Sequence, residues 1–161
     1  MNILYFDNNA TTQVAQEVLD SMLPYFREYY GNPSSMHTFG GHLYHKIEEA
    51  REQVAALIGA EPDEIIFTSC GTESNNTALM SAIETNPTKR HIITTKVEHP
   101  AVLNFCKHLG RKGYHVTYLP VDSKGRLDLE SLVQAIDDNI AVVSIMYANN
   151  ETGVIFPIEK I

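Results

Sequence analysis

The 161-residue sequence predicts an α/β fold with a mainly parallel, mixed sheet flanked by helices. Three observations lead there. In the middle of the chain, short β-branched runs begin to alternate with helical segments of about 10 to 15 residues, the pattern of βαβ units. The run from Ile140 to Tyr147 is apolar except at Ser144, as in a strand buried on both faces. Composition is 43% hydrophobic and 20% charged, which suits a domain with a core rather than a disordered chain.

The elements follow in order. Gln13 to about Tyr30 is predicted as a helix, with Val14, Val18, Leu19, Met22 and Leu23 on one stripe. Gly31-Asn32-Pro33-Ser34-Ser35 breaks it. A second helix from about Gly40 to Ile58 is carried by Leu43, Ile47, Ala50, Val54 and Leu57, and Gly59 stops it in a left-handed conformation. Glu64 to Thr68 has strand composition after the Pro62-Asp63 turn, and Thr72 to about Glu84 is a helix closed by Asn86-Pro87. His91 to Thr95 is the next strand. Pro100 to Lys112 is a helix whose proline sits in the first turn, where a missing N–H costs nothing. Tyr114 to Leu119 is a strand, and Asp128 caps a helix through Ile136. Pro157 to Lys160 has the look of the opening turn of a further helix.

Charge and residue usage narrow the function classes. Twelve basic against twenty acidic residues give a formal net charge of −8, which speaks against nucleic acid as a partner, since phosphate backbones call for a basic face. The apolar run of the last strand is far shorter than the ~20 residues of a membrane helix, and no basic n-region precedes a signal-like segment. Cys70 and Cys106 are too few for a disulfide scaffold and fit a reducing, cytoplasmic setting. No metal site is expected. His42 and His45, three apart on one helix, have no third ligand nearby in sequence.

In open parallel sheets ligands bind where strands end and helices begin. Three such loops stand out. Thr68-Ser69-Cys70-Gly71-Thr72-Glu73-Ser74 puts a glycine and hydroxyls at a helix N-terminus, an arrangement suited to a phosphate, although a plain capped helix has the same residues. Val97-Glu98-His99-Pro100 offers a histidine that could face a planar cofactor, shuttle a proton or simply cap its loop. Ala148-Asn149-Asn150-Glu151-Thr152-Gly153 holds two adjacent amides, for an asparagine-built turn or for a ligand. At the amino end, Asp7-Asn8-Asn9-Ala10-Thr11-Thr12 carries more polar groups than one helix cap requires.

Taken together, the strings Tyr5 to Thr12, Gly31 to Ser35 with His37, Phe67 to Asn76, Glu98 to Leu103 and Asn149 to Gly153 resemble the cysteine desulfurases. These NifS-like enzymes use pyridoxal 5′-phosphate (PLP) and share the fold-type-I architecture of class-V aminotransferases. The likeness covers essentially the whole chain and is strongest to the nitrogen-fixation branch. It implies that Gly71 and Thr72 hold the cofactor phosphate, and that His99 stacks on the ring and assists proton transfer as a catalytic residue. It further implies that Asn150 hydrogen-bonds the cofactor's 3-oxygen and that Asn9 and Ala10 lie on the substrate side. The implied reaction takes sulfur from L-cysteine, leaves L-alanine and stores a persulfide for iron–sulfur cluster assembly through a sulfur-acceptor or scaffold protein, in a homodimer.

The same resemblance implies what to expect of organisation. Residues 1–12 correspond to an amino-terminal active-site loop and 13–161 to part of the PLP-binding large domain. The rest of that domain, the small domain, the Schiff-base lysine and the nucleophilic cysteine are expected to be missing, so the 161-residue chain alone is expected to be inactive. Cys70 departs from the glycine usual at its position in this family. A selenocysteine lyase-like enzyme and a truncated, non-catalytic binding module are the alternative expectations.

Overall fold

The computed structural model describes residues 3–161, which group into two compact units that divide between Phe67 and Thr68.

The first unit is helical. Helix α1 spans Gln16–Arg27 and α2 spans Thr38–Ile58. His37 caps α2, its Nδ1 accepting from the Gly40 N–H at 3.1 Å, and Gly59 ends it at φ +70°, as expected for a residue without a Cβ in the left-handed region. The loop before α2 presses on Gly40: a Cβ there would meet the carbonyl oxygens of Asn32 and Ser35 at 2.6 Å. Gly40→Ala should therefore destabilise the chain by about 1–3 kcal/mol through overpacking, read as a lower urea midpoint, even though alanine is the better helix former.

Two expectations for this unit need correction. Helix α1 runs only over Gln16–Arg27, shorter than the predicted Gln13 to Tyr30, and no α1 residue is buried. Glu64 to Thr68 is not a strand: Pro62–Glu64 form a turn of 3₁₀-helix and 65–68 pair with no strand among the described residues. A β-run is stable only with a partner ladder. Here Arg51 takes the Ile65 carbonyl and lies 5.0 Å from the centre of the Phe67 ring, while Ile66 stays exposed.

The second unit is the predicted α/β layer. Its elements are α3 (Gly71–Glu84), β1 (His91–Thr95), α4 (Pro100–Arg111), β2 (His115–Leu119), α5 (Leu129–Ala135) and β3 (Ile140–Ser144). The sheet order is β2-β1-β3, and both pairings are parallel, with one register shift opposite His91 and Ile92. The last strand therefore ends at Ser144 rather than Tyr147.

All five residues of β1 are buried because both faces are covered. Ile92 packs among Leu79 and Ile83 of α3 and Val102, Cys106 and Leu109 of α4, whereas Ile93 packs with Leu119 and with Leu132 of α5. At the amino end of β1, His91 is buried but satisfied. Its Nδ1 meets Asp137 at 3.0 Å, its Nε2 meets Thr117 at 2.8 Å, and its ring stacks on His115 at 4.3 Å. Asp128 caps α5 as predicted, accepting from the Glu130 N–H and the Ser131 hydroxyl. Among the described residues no helix is long and apolar enough to cross a membrane.

Candidate functional site

Since β1 and β3 run parallel and side by side, the loops that leave them emerge on one edge of the sheet. These are the loops that carry His99 and Asn150. On the same unit, Thr72 and Asn76 of α3 line a cleft of about 400 Å³ with His99, Pro100, Asn104 and Phe105. The structure thus brings Thr72 and His99 to a common hollow. Asn150 is exposed on the neighbouring loop, and its amide donates to Glu151 at 2.8 Å.

The α3 terminus has the makings of an anion cradle. The helix begins at Gly71, one residue earlier than predicted, and Cys70 stands at its N-cap with no side-chain cap bond. Gly71 needs no positive φ, and a Cβ built on it would meet nothing within 4 Å. Neither backbone strain nor packing among the described residues requires glycine at this place, and the missing side chain leaves room for a ligand at the helix terminus. The Cys70 thiol already feels the terminus: its pKa is lowered first by the Glu73 N–H, then by the Ser69 hydroxyl and the Thr72 N–H. Glu73 turns back on the loop, accepting from Ser69 N–H at 2.7 Å and Ser69 Oγ at 2.6 Å. Cys106 is the opposite case, buried in the core and pushed up to about 11, chiefly by burial.

His99 caps α4, with Nδ1 accepting from the Ala101 N–H at 3.1 Å. A ring nitrogen that accepts is unprotonated, so neutral His99 carries its proton on Nε2. One further polar atom in the cleft lacks a protein partner: the buried Oδ1 of Asn76.

Of the two adjacent amides, Asn149 builds the turn. It is buried, and its Oδ1 accepts from Glu151 N–H, Thr152 N–H and Thr152 Oγ1 at 2.9–3.0 Å. Its Nδ2 donates across to the Val97 carbonyl at 3.1 Å. Sequence reasoning missed Glu98. This buried carboxylate accepts at Oε1 from the Met146 N–H at 2.7 Å and from the Thr95 hydroxyl at 3.1 Å.

Burial pushes the Glu98 carboxyl up, against the pull of those two donors. The native state then holds its proton to a higher pH than the unfolded chain does. Stability from this group is complete below the ordinary carboxylate pKa and falls as pH rises through the raised one. Glu98→Gln should remove that fall. Its stability relative to wild type should be greatest near neutrality and shrink below the usual carboxylate range, in paired urea titrations across pH.

Asn9 and Ala10 belong to the first unit, in a turn where the Ala10 N–H donates to the Asp7 carbonyl at 3.2 Å, and both are exposed. That unit has a larger cleft, about 1240 Å³, lined by Val18, Met22, Tyr25, Leu43, Ile47 and Phe67 among others. Its cations are already engaged, Lys46 with Glu49 at 2.8 Å and Arg51 with Glu48 at 3.3 Å. The smaller cleft is the better candidate because it gathers a helix terminus, an imidazole and an unpartnered amide oxygen. His42 packs on Tyr29 and His45 on Tyr44, and among the described residues no group of three His, Cys, Asp or Glu could hold a metal ion.

A parallel sheet with a helix N-terminus and a histidine at its carboxyl edge is an arrangement in which open α/β sheets bind ligands, and similarity to known proteins gives the family. The Aminotransferase class-V profile matches residues 4–161, so the chain belongs to that family. It is 62% identical over 161 residues to cysteine desulfurase 2 of Trichormus variabilis, covering all of this chain and 40% of that protein. Among solved structures, a NifS-like protein matches with a TM-score of 0.92 and 51% identity, over 98% of this chain and 43% of the other. SspA in complex with cysteine matches with a TM-score of 0.88 and 40% identity, over 96% and 45%. The chain spans about 40% of the length of the curated relatives it matches.

Proposed function

We propose that this chain is the amino-terminal portion of a PLP-dependent cysteine desulfurase that moves sulfur from L-cysteine, leaving L-alanine, for iron–sulfur cluster assembly. The observation that carries this reading is the shared cleft of Thr72 and His99, with a glycine in the first turn of α3 whose missing side chain leaves open space. Relatives named cysteine desulfurase, and the related SspA solved with cysteine, support the substrate class.

The residues fit the group. The free N–H groups of the first α3 turn suit a phosphate dianion, and the Thr72 hydroxyl adds a donor. PLP, when bound, supplies an electron sink for bonds at the substrate's α-carbon. His99 would cover the ring, and its Nε2 would be the nitrogen free to move a proton, because Nδ1 accepts from the Ala101 N–H. Asn150 would donate its amide to the ring's 3-oxygen, and Asn9 and Ala10 would serve the substrate side, roles that rest on the family resemblance. The complete enzyme works as a cytoplasmic homodimer and hands its sulfur to an acceptor or scaffold protein.

Equilibrium dialysis of the 161-residue chain with PLP, followed by an alanine assay with L-cysteine, tests the reading. Saturable binding without alanine is expected. Absence of PLP binding contradicts the pocket, and alanine production contradicts the expectation that the nucleophile and the Schiff-base lysine lie outside this chain.

A further inference from the structure

Glu98 is buried at the carboxyl edge of the sheet with no cation beside it among the ion pairs of the described residues. A buried carboxylate is costly, so its partners matter. One acceptor oxygen takes the Met146 N–H, 48 residues along the chain, and the Thr95 hydroxyl three residues back. Asn149 makes a second crossing in the opposite sense, its Nδ2 donating to the Val97 carbonyl. The Lys96 N–H donates to the Leu119 carbonyl, which fixes the start of the same loop on β2. His99 follows directly, and Asn150 follows Asn149.

We propose that Glu98 is a positioning residue whose carboxylate braces the β1–α4 loop against the chain leaving β3, so that His99 and Asn150 are held at a set spacing. This rests on the reading of those two residues as cofactor contacts. Glu98 itself touches no ligand in this account. Its part is to be an acceptor in a fixed place, which a carboxamide can also be.

Amide hydrogen exchange of the 161-residue chain reads the brace without any cofactor. Glu98→Ala should speed exchange at Met146 by about a hundredfold, and exchange at 149–153 should rise with it, whereas Glu98→Gln should keep both near wild type. Thr95→Val, which deletes only one of the two donors, gives a milder form of the same pattern and serves if Glu98→Ala does not fold. Dialysis adds a second readout. Glu98→Ala should weaken PLP binding about tenfold yet leave inorganic phosphate binding at α3 unchanged. Faster exchange confined to Met146, or equal losses for PLP and phosphate, would overturn the proposal. A wild-type chain that binds no PLP sinks the cofactor reading instead, and exchange still decides the brace.

Discussion

Gly71→Asp is expected to abolish phosphate recognition while leaving the fold as stable as before. Aspartate at the first position of α3 is favourable to the helix, by about 0.3–1 kcal/mol from the terminal dipole, and it removes the conformational freedom of glycine from the unfolded state. Toward a phosphate the same carboxylate acts the other way. Two unit charges about 4 Å apart repel by about 4 kcal/mol at an effective dielectric of about 20, and every ~1.4 kcal/mol is a tenfold change in affinity. The side chain would also fill the open space beside the Gly71 Cα. A loss of at least about a hundredfold in PLP and phosphate affinity, with an unchanged urea midpoint, is the expected pair of results. A variant that binds as wild type would place the phosphate elsewhere.

Asn149→Ala should be the most destabilising single change in the site, at about 3 kcal/mol. The substitution removes one acceptor serving three donors and one amide that crosses to Val97. Each such bond is worth about 1 kcal/mol net, and buried groups left without partners add to the loss. The turn also depends on Asn149 through its backbone, which accepts from Gly153 N–H at 2.8 Å and donates to Val154 at 2.9 Å, with Gly153 at φ +71°. Those bonds survive the change, so the loss reports the side chain. Asn149→Asp keeps the acceptor but not the donor to Val97, and should fall between alanine and wild type in urea unfolding.

The alternation of strands and helices after residue 90 was legible because each element has its own period and its own stop signals. His91 to Thr95, Pro100 and the Asp128 cap stand where their residue types predict. Glu64 to Thr68 failed for the opposite reason. Its composition is that of a strand, but strandhood belongs to a pair, and no partner is present among the described residues. Asn149 and Asn150 look alike in sequence. Only the direction of each side chain divides them, one turned in to build the turn and one left on the surface. Glu98 was hidden because its partners are a backbone N–H almost fifty residues away and a nearby hydroxyl, neither of which leaves a spacing pattern. The likeness of whole strings to a known family gives these residues roles that local chemistry leaves open, since a glycine, a histidine and an asparagine have ordinary uses as well.

Alkylation of Cys70 reports directly on the cradle at α3. The N–H groups of Glu73 and Thr72 and the Ser69 hydroxyl hold the thiol below its ordinary range, and two of these donors belong to the turn that would hold the phosphate. Cys106, buried and pushed up to about 11, stays unreactive and serves as the internal reference. With iodoacetamide at fixed pH, PLP and inorganic phosphate should each slow modification of Cys70 in a saturable way, by shielding the sulfur and taking its stabilising donors. An alkylation rate at Cys70 that does not change at saturating PLP would contradict the placement of the phosphate at Gly71 and Thr72.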